Sequence, residues 1–450
     1  MPELAERVAP ARACAFEVLV RVEDGAWADR ALIGEARRAG LDARDRALAM
    51  QLAFGTVQRA ATLDHVIEKL ARRPAERLDV PVRAALRLGL YQLLYLERIP
   101  AHAAVAESVE PAKARSPRGA GLVNAVLRRA TAEGRAIIDA LDDATIAGAA
   151  LKHSHPRWIA DLWWRALGPM DARALLAADN RPPEPVIRVN TLRTTPPALA
   201  AALPVPSHAA PGLPEALVLD APFDPHGSPL HAEGAFMPQS RAAQAVARVL
   251  DPQPGERVLD LCAAPGGKTT HLAALMTNLG QIVAVERDAA RAAALERTAR
   301  RMGAGIVEVR HADAATVDEP GAYDRVLVDP PCSDLGTLAL RPDARWRKQP
   351  GDPQRLAAVQ GAILRAGARA LKAGGTLVYS TCTISPAENE RLIEAFLRDE
   401  PGFEVEHPRT SPSASDLPVW EHPSVPGFLQ TLPHRDGTDG FFIARLRRTA

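Results

Sequence analysis

VLDLCAAPGGKT, residues 258–269, is the stretch whose reading decides the fold. A short apolar run ends in an acid and opens into a Pro-Gly-Gly turn, and a helix is predicted to begin near Thr269. Gly266 and Gly267 lack a Cβ, so backbone N–H groups in that turn can approach a bound group closely, and the positive end of the helix points at it. Read this way, the stretch is the first strand, loop and helix of an α/β domain that holds a nucleotide-type cofactor.

Two cofactor readings compete for the loop. GGKT matches the end of a phosphate-gripping loop, G-x-x-x-x-G-K-[ST], but Cys262 stands where that pattern needs its first glycine. Pro265 also removes an N–H from the middle of the cradle. An adenosyl cofactor fits better. Glu286 closes the next apolar run, IVAVE, about 20 residues past Gly266, where a carboxylate on a second strand accepts hydrogen bonds from ribose hydroxyls.

Outward from this loop, residues 236–450 read as a Rossmann-like, doubly wound α/β domain. Its strands are predicted at 257–261, 281–286, 305–309, 323–329 and 376–381, with a C-terminal strand at 439–448. Gly280 and Gly303 sit where helix C-caps belong. Ser385-Pro386-Ala387-Glu388 reads as a helix start with Ser385 as N-cap. Residues 151–235 read as a small α+β linker module with RNA-binding capacity. Trp158, Trp163 and Trp164 are assigned there to packing, and Arg188, Asn190 and Arg193 to RNA phosphate. Residues 1–150 read as an all-α bundle, with helical periodicity in 12–22, 45–70 and 80–99 and helix stops at Pro74, Pro100 and Pro117. Its arginines Arg7, Arg12, Arg72, Arg73, Arg128 and Arg129 fit a solvated face of mixed charge better than an RNA patch.

With 450 residues and a net charge of +1, the chain has length for several cores and no global basic footprint. No apolar run is long enough for a membrane span, and MPELAERVAP has no signal-peptide pattern, so the reading is cytoplasmic. The 4 cysteines form no C-x-x-C pair, which argues against zinc and against a disulfide framework.

The chemistry lies in two further motifs, LVDPPCSDLGT (327–337) and VYSTCTISPAENE (378–390). In a doubly wound sheet the carboxyl ends of neighbouring strands share a crevice, so Asp329, Cys332 and Cys382 should converge beside the cofactor turn. A thiolate can add to C6 of a cytosine, and C5 then becomes nucleophilic enough to take a methyl group from a sulfonium. Cys382 is the expected nucleophile, activated by the Ser385-Pro386 helix start and by Lys268. Asp329 is the expected acid at N3, and Cys332 the base that removes the C5 proton.

These blocks, with the terminal DGTDGFFIARL and the N-terminal LRLGLYQLLYLERIPAHAAVAESVEPAK and GLVNAVLRRA, resemble the bacterial 16S ribosomal RNA cytosine-5 methyltransferases of the RsmB (Sun/Fmu) family, across essentially the whole chain. The resemblance implies an N-terminal NusB-like domain and S-adenosyl-L-methionine as methyl donor. It places that donor against Cys262, Ala263, Ala264, Pro265, Gly266, Gly267 and Lys268, with Glu286 on the ribose, Asp313 on the adenine side, and Asp329 beside them. It assigns Cys382 as nucleophile and Cys332 as the releasing residue, with RNA, expected to be 16S rRNA, as substrate; the sequence itself gives the expectation of no metal, no membrane and no obligate protein partner, the chain acting as a monomer. Two positions depart from the family pattern Asp-Ala-Pro-Cys-Ser-Gly, Pro330 for Ala and Asp334 for Gly. Two rival classes remain, a nucleotide hydrolase built on the GGKT loop and an RNA-binding antitermination module built on the first 150 residues.

Overall fold

The computed structural model describes residues 8–449. By compactness the chain divides into two units, Met1–Pro182 with Leu338–Lys348, and Pro183–Thr337 with Gln349–Ala450. Arg7 lies outside the described residues.

The first unit is helical. Pro10–Glu23, Ala28–Arg38, Ala43–Gln58, Ala60–Ala71, Val80–Tyr95, Ala101–Arg115 and Ala120–Asp139 close over a core that includes Phe16, Leu52, Leu63, Ile67 and Leu86. Burying each such side chain stabilises by about 1.5–3 kcal/mol. The helical stretch expected over 45–70 is two helices, broken at Arg59; the helix expected to stop at Pro100 already ends at Tyr95, and Pro100 is the N-cap of the next. Arg12 is paired with Glu107 and Arg129 with Glu133, in keeping with a mixed-charge face. In the helix Arg157–Ala178, Trp163 is fully buried.

Leu338–Lys348 belongs to this unit although it follows the Pro-Cys motif of the second. Its buried Arg345 donates to the carbonyls of Ser154 (3.1 Å) and Asp179 (3.0 Å) and to Asn180 Oδ1 (2.9 Å). Trp346 Nε1 donates to the Val57 carbonyl at 2.8 Å.

The second unit carries two sheets. The smaller is antiparallel, in the order β2-β3-β1-β4, from β1 (Val186–Val189), β2 (Ser207–Ala210), β3 (Leu213–Leu219) and β4 (Phe236–Pro238). The larger has the order β10-β12-β9-β8-β5-β6-β7. Its parallel part is β5 (Arg257–Leu261), β6 (Gln281–Glu286), β7 (Val307–His311), β8 (Tyr323–Val328) and β9 (Leu371–Thr381). At its edge β12 (Phe442–Arg448) runs antiparallel between β9 and β10 (Phe403–Glu406), and β11 (Leu429–Gln430) pairs with β12. The central strands β5 and β8 are buried over most of their length, and each ends in an apolar or buried run, as strands inside a parallel sheet do. Their carboxyl ends, with those of β6 and β9, form the rim that holds the site.

Two local expectations change. Gly303 caps its helix with φ +70°, but Gly280 stands four residues past its helix C-cap Met276, in the turn into β6. The helix expected from Ser385 begins at Glu390, and residues 386–389 form a turn. No helix among the described residues is long and apolar enough to cross a membrane.

Candidate active site

The cofactor-type turn is built as its residues require. Cys262 takes a left-handed conformation (φ +67°) at the end of β5, and Gly266 (φ +100°) caps the helix Gly267–Leu275. A Cβ on Gly266 would lie 2.7 Å from Leu295 Cδ1, so the turn demands glycine there. A Cβ on Gly267 would meet nothing closer than 3.9 Å, so that side of the turn is open. Burial pushes the Cys262 thiol up to about 12. Beneath the turn, Asp260 Oδ2 accepts from Thr269 Oγ1 at 2.7 Å, and Asp260 Oδ1 is buried without a partner. Burial, with the Asp329 charge adding to it, pushes the Asp260 carboxyl up to about 7.

Arg188 braces this turn. Its guanidinium, with no exposed surface, donates to the Gly267 carbonyl, to Gln239 Oε1 (2.6 Å) and to Thr270 Oγ1 (2.9 Å). Asn190 is equally buried and donates to the carbonyls of Gly234 and Met302. Both were expected to reach RNA phosphate. Neither does, because β1 is covered on both faces; of the three candidates only Arg193 is exposed.

Glu286 ends β6 beside the turn, 5 % exposed, and accepts from the Asp288 N–H at 2.9 Å, with Arg291 at 3.5 Å. Asp313, exposed after β7, caps a short turn through the Ala315 N–H. Lys268 Nζ pairs with Asp329 Oδ2 at 2.7 Å and sits over the Phe441 ring, and Ser380 Oγ donates to Asp329 Oδ1 at 2.9 Å. Asp329 is thus fixed from both sides, with lone pairs left on each oxygen.

The two cysteines meet. Cys332 Sγ lies 3.2 Å from Cys382 Sγ, and Asp334 Oδ1 lies 3.3 Å from Cys382 Sγ and 3.9 Å from Cys332 Sγ. Cys332 is buried at 7 %, whereas Cys382 keeps partial exposure. The expected activation of Cys382 by a helix end is not present, since the helix starts only at Glu390. Contact with Cys332, burial, and the charges of Asp334 and Asp329 instead hold the Cys382 thiol well above its ordinary value.

A network that the sequence reading missed holds the cysteine loops together. The fully buried Glu388 carboxylate accepts from the Ser333 N–H (2.8 Å), the Ser333 hydroxyl (2.5 Å) and Gln360 Nε2 (2.9 Å). Tyr379 donates its hydroxyl to the Glu388 carbonyl at 2.7 Å, and Asn389 bonds both Thr381 Oγ1 and the Thr383 carbonyl. Burial raises the Glu388 carboxyl above its ordinary range. The Gly336 N–H donates to the Cys382 carbonyl at 3.0 Å, and the Gly440 N–H to the Gly336 carbonyl at 2.8 Å. A Cβ on Gly336 would fall 1.9 Å from the Gly440 carbonyl oxygen, so DLGT and the terminal DGFF loop pack backbone to backbone. The signal in the sequence was an acid and an amide, Glu388-Asn389, of which only Glu388 was read, as part of a helix start.

Three family profiles match the chain: 16S rRNA methyltransferase RsmB/F over 247–447, the NusB family over 9–132, and the ferredoxin-like domain of RsmF/B-like methyltransferases over 155–226. A probable ribosomal RNA small subunit methyltransferase B of Synechocystis sp. is 39 % identical over 97 % of this chain and 99 % of its own length. Ribosomal RNA small subunit methyltransferase B of Pseudomonas putida is 36 % identical over 91 % and 92 %. Among solved structures, PH0851 shares 27 % identity at a TM-score of 0.81, covering 98 % of this chain and 99 % of that one. A methyltransferase homolog from Pyrococcus horikoshii shares 27 % identity at 0.58, covering 68 % and 99 %. With a NusB-family helical region, a ferredoxin-like α+β module and an α/β methyltransferase domain in that order, the chain belongs to the RsmB/F family of 16S ribosomal RNA methyltransferases.

Proposed function

We propose that the chain methylates C5 of a cytosine in 16S rRNA through a thioether between Cys382 and C6, and that Cys332 removes the C5 proton. The observation that carries this reading is the cysteine pair, 3.2 Å apart at the ends of β8 and β9, beside an Asp329 anchored by Lys268 and Ser380. A structural cysteine needs no such partner, and two thiols in contact divide naturally between attack and release. Attack is assigned to Cys382, the more exposed residue of the pair, and Asp329 keeps lone pairs for the N3 edge.

The residues around the turn fit S-adenosyl-L-methionine, the donor that family membership implies. Asp260 offers a buried acceptor without a partner, and Gly267 leaves the turn open. Cys262 to Lys268 would hold the donor by their backbone, Glu286 its ribose, Asp313 its adenine side, and Asp329 its reactive end. When bound, the donor supplies an electrophilic methyl group. We place the boundaries of the three regions at 1–150, 151–235 and 236–450.

Methylation of 16S RNA prepared with tritium at cytosine C5 tests the reading. Tritium released to water should equal methyl incorporated, and Cys382→Ala should abolish both. Methyl incorporation without tritium release would place the methyl elsewhere on the base and overturn the proposal.

A further inference from the structure

Cys382 is a thiol that does not ionise readily. Its facing groups are Cys332, Asp334, Asp329 and Lys268, and the one cation among them, Lys268, is already paired with Asp329 at 2.7 Å. Pre-formed thiolate is therefore scarce at neutral pH, and attack on C6 needs a group that takes the proton as the carbon–sulfur bond forms. One carboxylate is in place. Asp334 Oδ1 lies 3.3 Å from Cys382 Sγ, within hydrogen-bonding distance for sulfur, and the S–H donates to it.

The backbone at Asp334 argues that the side chain is there for a reason. Its φ of +59° is left-handed, a conformation glycine adopts more readily than aspartate. The turn is held by the Thr337 N–H and hydroxyl, which both donate to the Asp334 carbonyl at 3.1 Å. Aspartate is among the non-glycine residues that adopt this conformation most readily, and the turn presents its carboxylate to the Cys382 sulfur. Asp334 is also one of the two departures noted in the Pro-Cys motif.

We propose that Asp334 is the base that takes the Cys382 thiol proton during addition to the pyrimidine. The inference rests on Cys382 being the nucleophile. As the S–H bond breaks, its proton passes to Asp334 Oδ1 and the sulfur electron pair forms the bond to C6. The C5=C6 π pair moves to C5, which takes the methyl group from the donor's sulfonium as that S–CH3 bond breaks and its electron pair stays on the donor sulfur. On release Cys332, its own thiol proton given up to water, takes the C5 proton as the C5=C6 bond re-forms and the C6–S bond breaks. Its electron pair returns to Cys382, which recovers the proton from Asp334. Thiol acidity rises steeply as sulfur bonds to carbon, so a carboxylate is basic enough within the transition state although it would not deprotonate the resting thiol.

The test is single-turnover methyl transfer by Asp334→Asn and Asp334→Gly enzymes from pH 5.5 to 9.5, alongside the rate of Cys382 alkylation by iodoacetamide, read on its peptide by mass spectrometry. At pH 7 both variants should lose methyl transfer on the order of a hundredfold, with unchanged RNA and cofactor affinities, and the deficit should shrink as pH rises. Cys382 alkylation should shift to lower pH in the same variants, because a repelling charge has gone. A merely structural role predicts that Asp334→Gly, which suits φ +59°, keeps the wild-type rate. That result, or a parallel fall of alkylation and methyl transfer, overturns the inference. Cys382→Ala separates the two levels: surviving methyl transfer in that variant defeats the nucleophile reading itself. A dead Cys382→Ala enzyme beside wild-type behaviour at position 334 defeats only the base.

Discussion

Ser333 gives both its backbone N–H (2.8 Å) and its hydroxyl (2.5 Å) to the buried carboxylate of Glu388, so the two cysteine loops are clamped one residue from Cys332 and six from Cys382. Removing that carboxylate leaves the Ser333 N–H and one Gln360 N–H buried without a partner, while the Ser333 hydroxyl keeps Thr383 Oγ1 and Gln360 Nε2 keeps the Pro331 carbonyl. Glu388→Ala should therefore destabilise the second unit by about 2–3 kcal/mol. Glu388→Gln should fold but lose about 10²-fold in methyl transfer, since a slight misplacement of a reacting group is costly, while cofactor affinity stays unchanged. Urea titration and single-turnover rates check both; a Glu388→Gln enzyme at wild-type rate would show that the clamp does not position the thiols.

Glu286 is expected to hold the ribose, and Glu286→Ala should weaken S-adenosylmethionine binding while RNA affinity stays nearly intact. The structure adds a second effect, because Glu286 also accepts from the Asp288 N–H at 2.9 Å. Losing that bond should cost about 1 kcal/mol of stability, so the carboxylate is not free of structural work. Equilibrium dialysis and thermal unfolding separate the two effects, and unchanged cofactor affinity would remove Glu286 from the site.

Arg188 distinguishes a brace from an RNA contact. Arg188→Met should weaken cofactor binding by loosening the turn at Gly267 and should leave the slope of log K against log salt for RNA binding unchanged. A slope reduced by about 1 would instead mean that a phosphate contact was lost.

The pH dependence of stability tests Asp260. Its folded carboxyl, pushed up to about 7, binds a proton more tightly than the unfolded one. Its contribution is thus full below the unfolded value near 4, falls as pH rises towards 7, and is flat above that. Asp260→Asn has no such dependence. Relative to wild type, the variant should gain on the order of 2–4 kcal/mol between pH 4.5 and 8, read from urea unfolding at both pH values. An equal difference at both would mean that the carboxyl is not raised.

The parallel sheet was legible because its strands are apolar runs bounded by turn residues, and the five expected parallel strands appear; the largest differences are β9, which starts at Leu371 rather than 376, and β7, at Val307–His311 rather than 305–309. What escaped the sequence depends on partners remote in the chain. Arg188 reads as the outward position of an alternating strand until helices and loops far along the chain cover that face too. Glu388 reads as a capping-box acid because Ser385 and Pro386 stand before it, yet its carboxylate is drawn to Ser333, 55 residues earlier. Leu338–Lys348 follows the Pro-Cys motif but folds into the helical unit through Arg345, whose acceptors include carbonyls 191 and 166 residues earlier. Local pattern cannot announce such contacts.

The division of labour between the cysteines is tested most directly by a denaturing gel of enzyme mixed with 16S RNA and S-adenosylmethionine. Cys382→Ala should give no methylation and no denaturant-resistant protein–RNA species, because no thioether forms. Cys332→Ala should accumulate that species, because attack and methyl transfer proceed but the C5 proton has lost its base. An adduct with Cys382→Ala and none with Cys332→Ala would reverse the roles, and no adduct with either variant beside an active wild type would contradict the covalent mechanism.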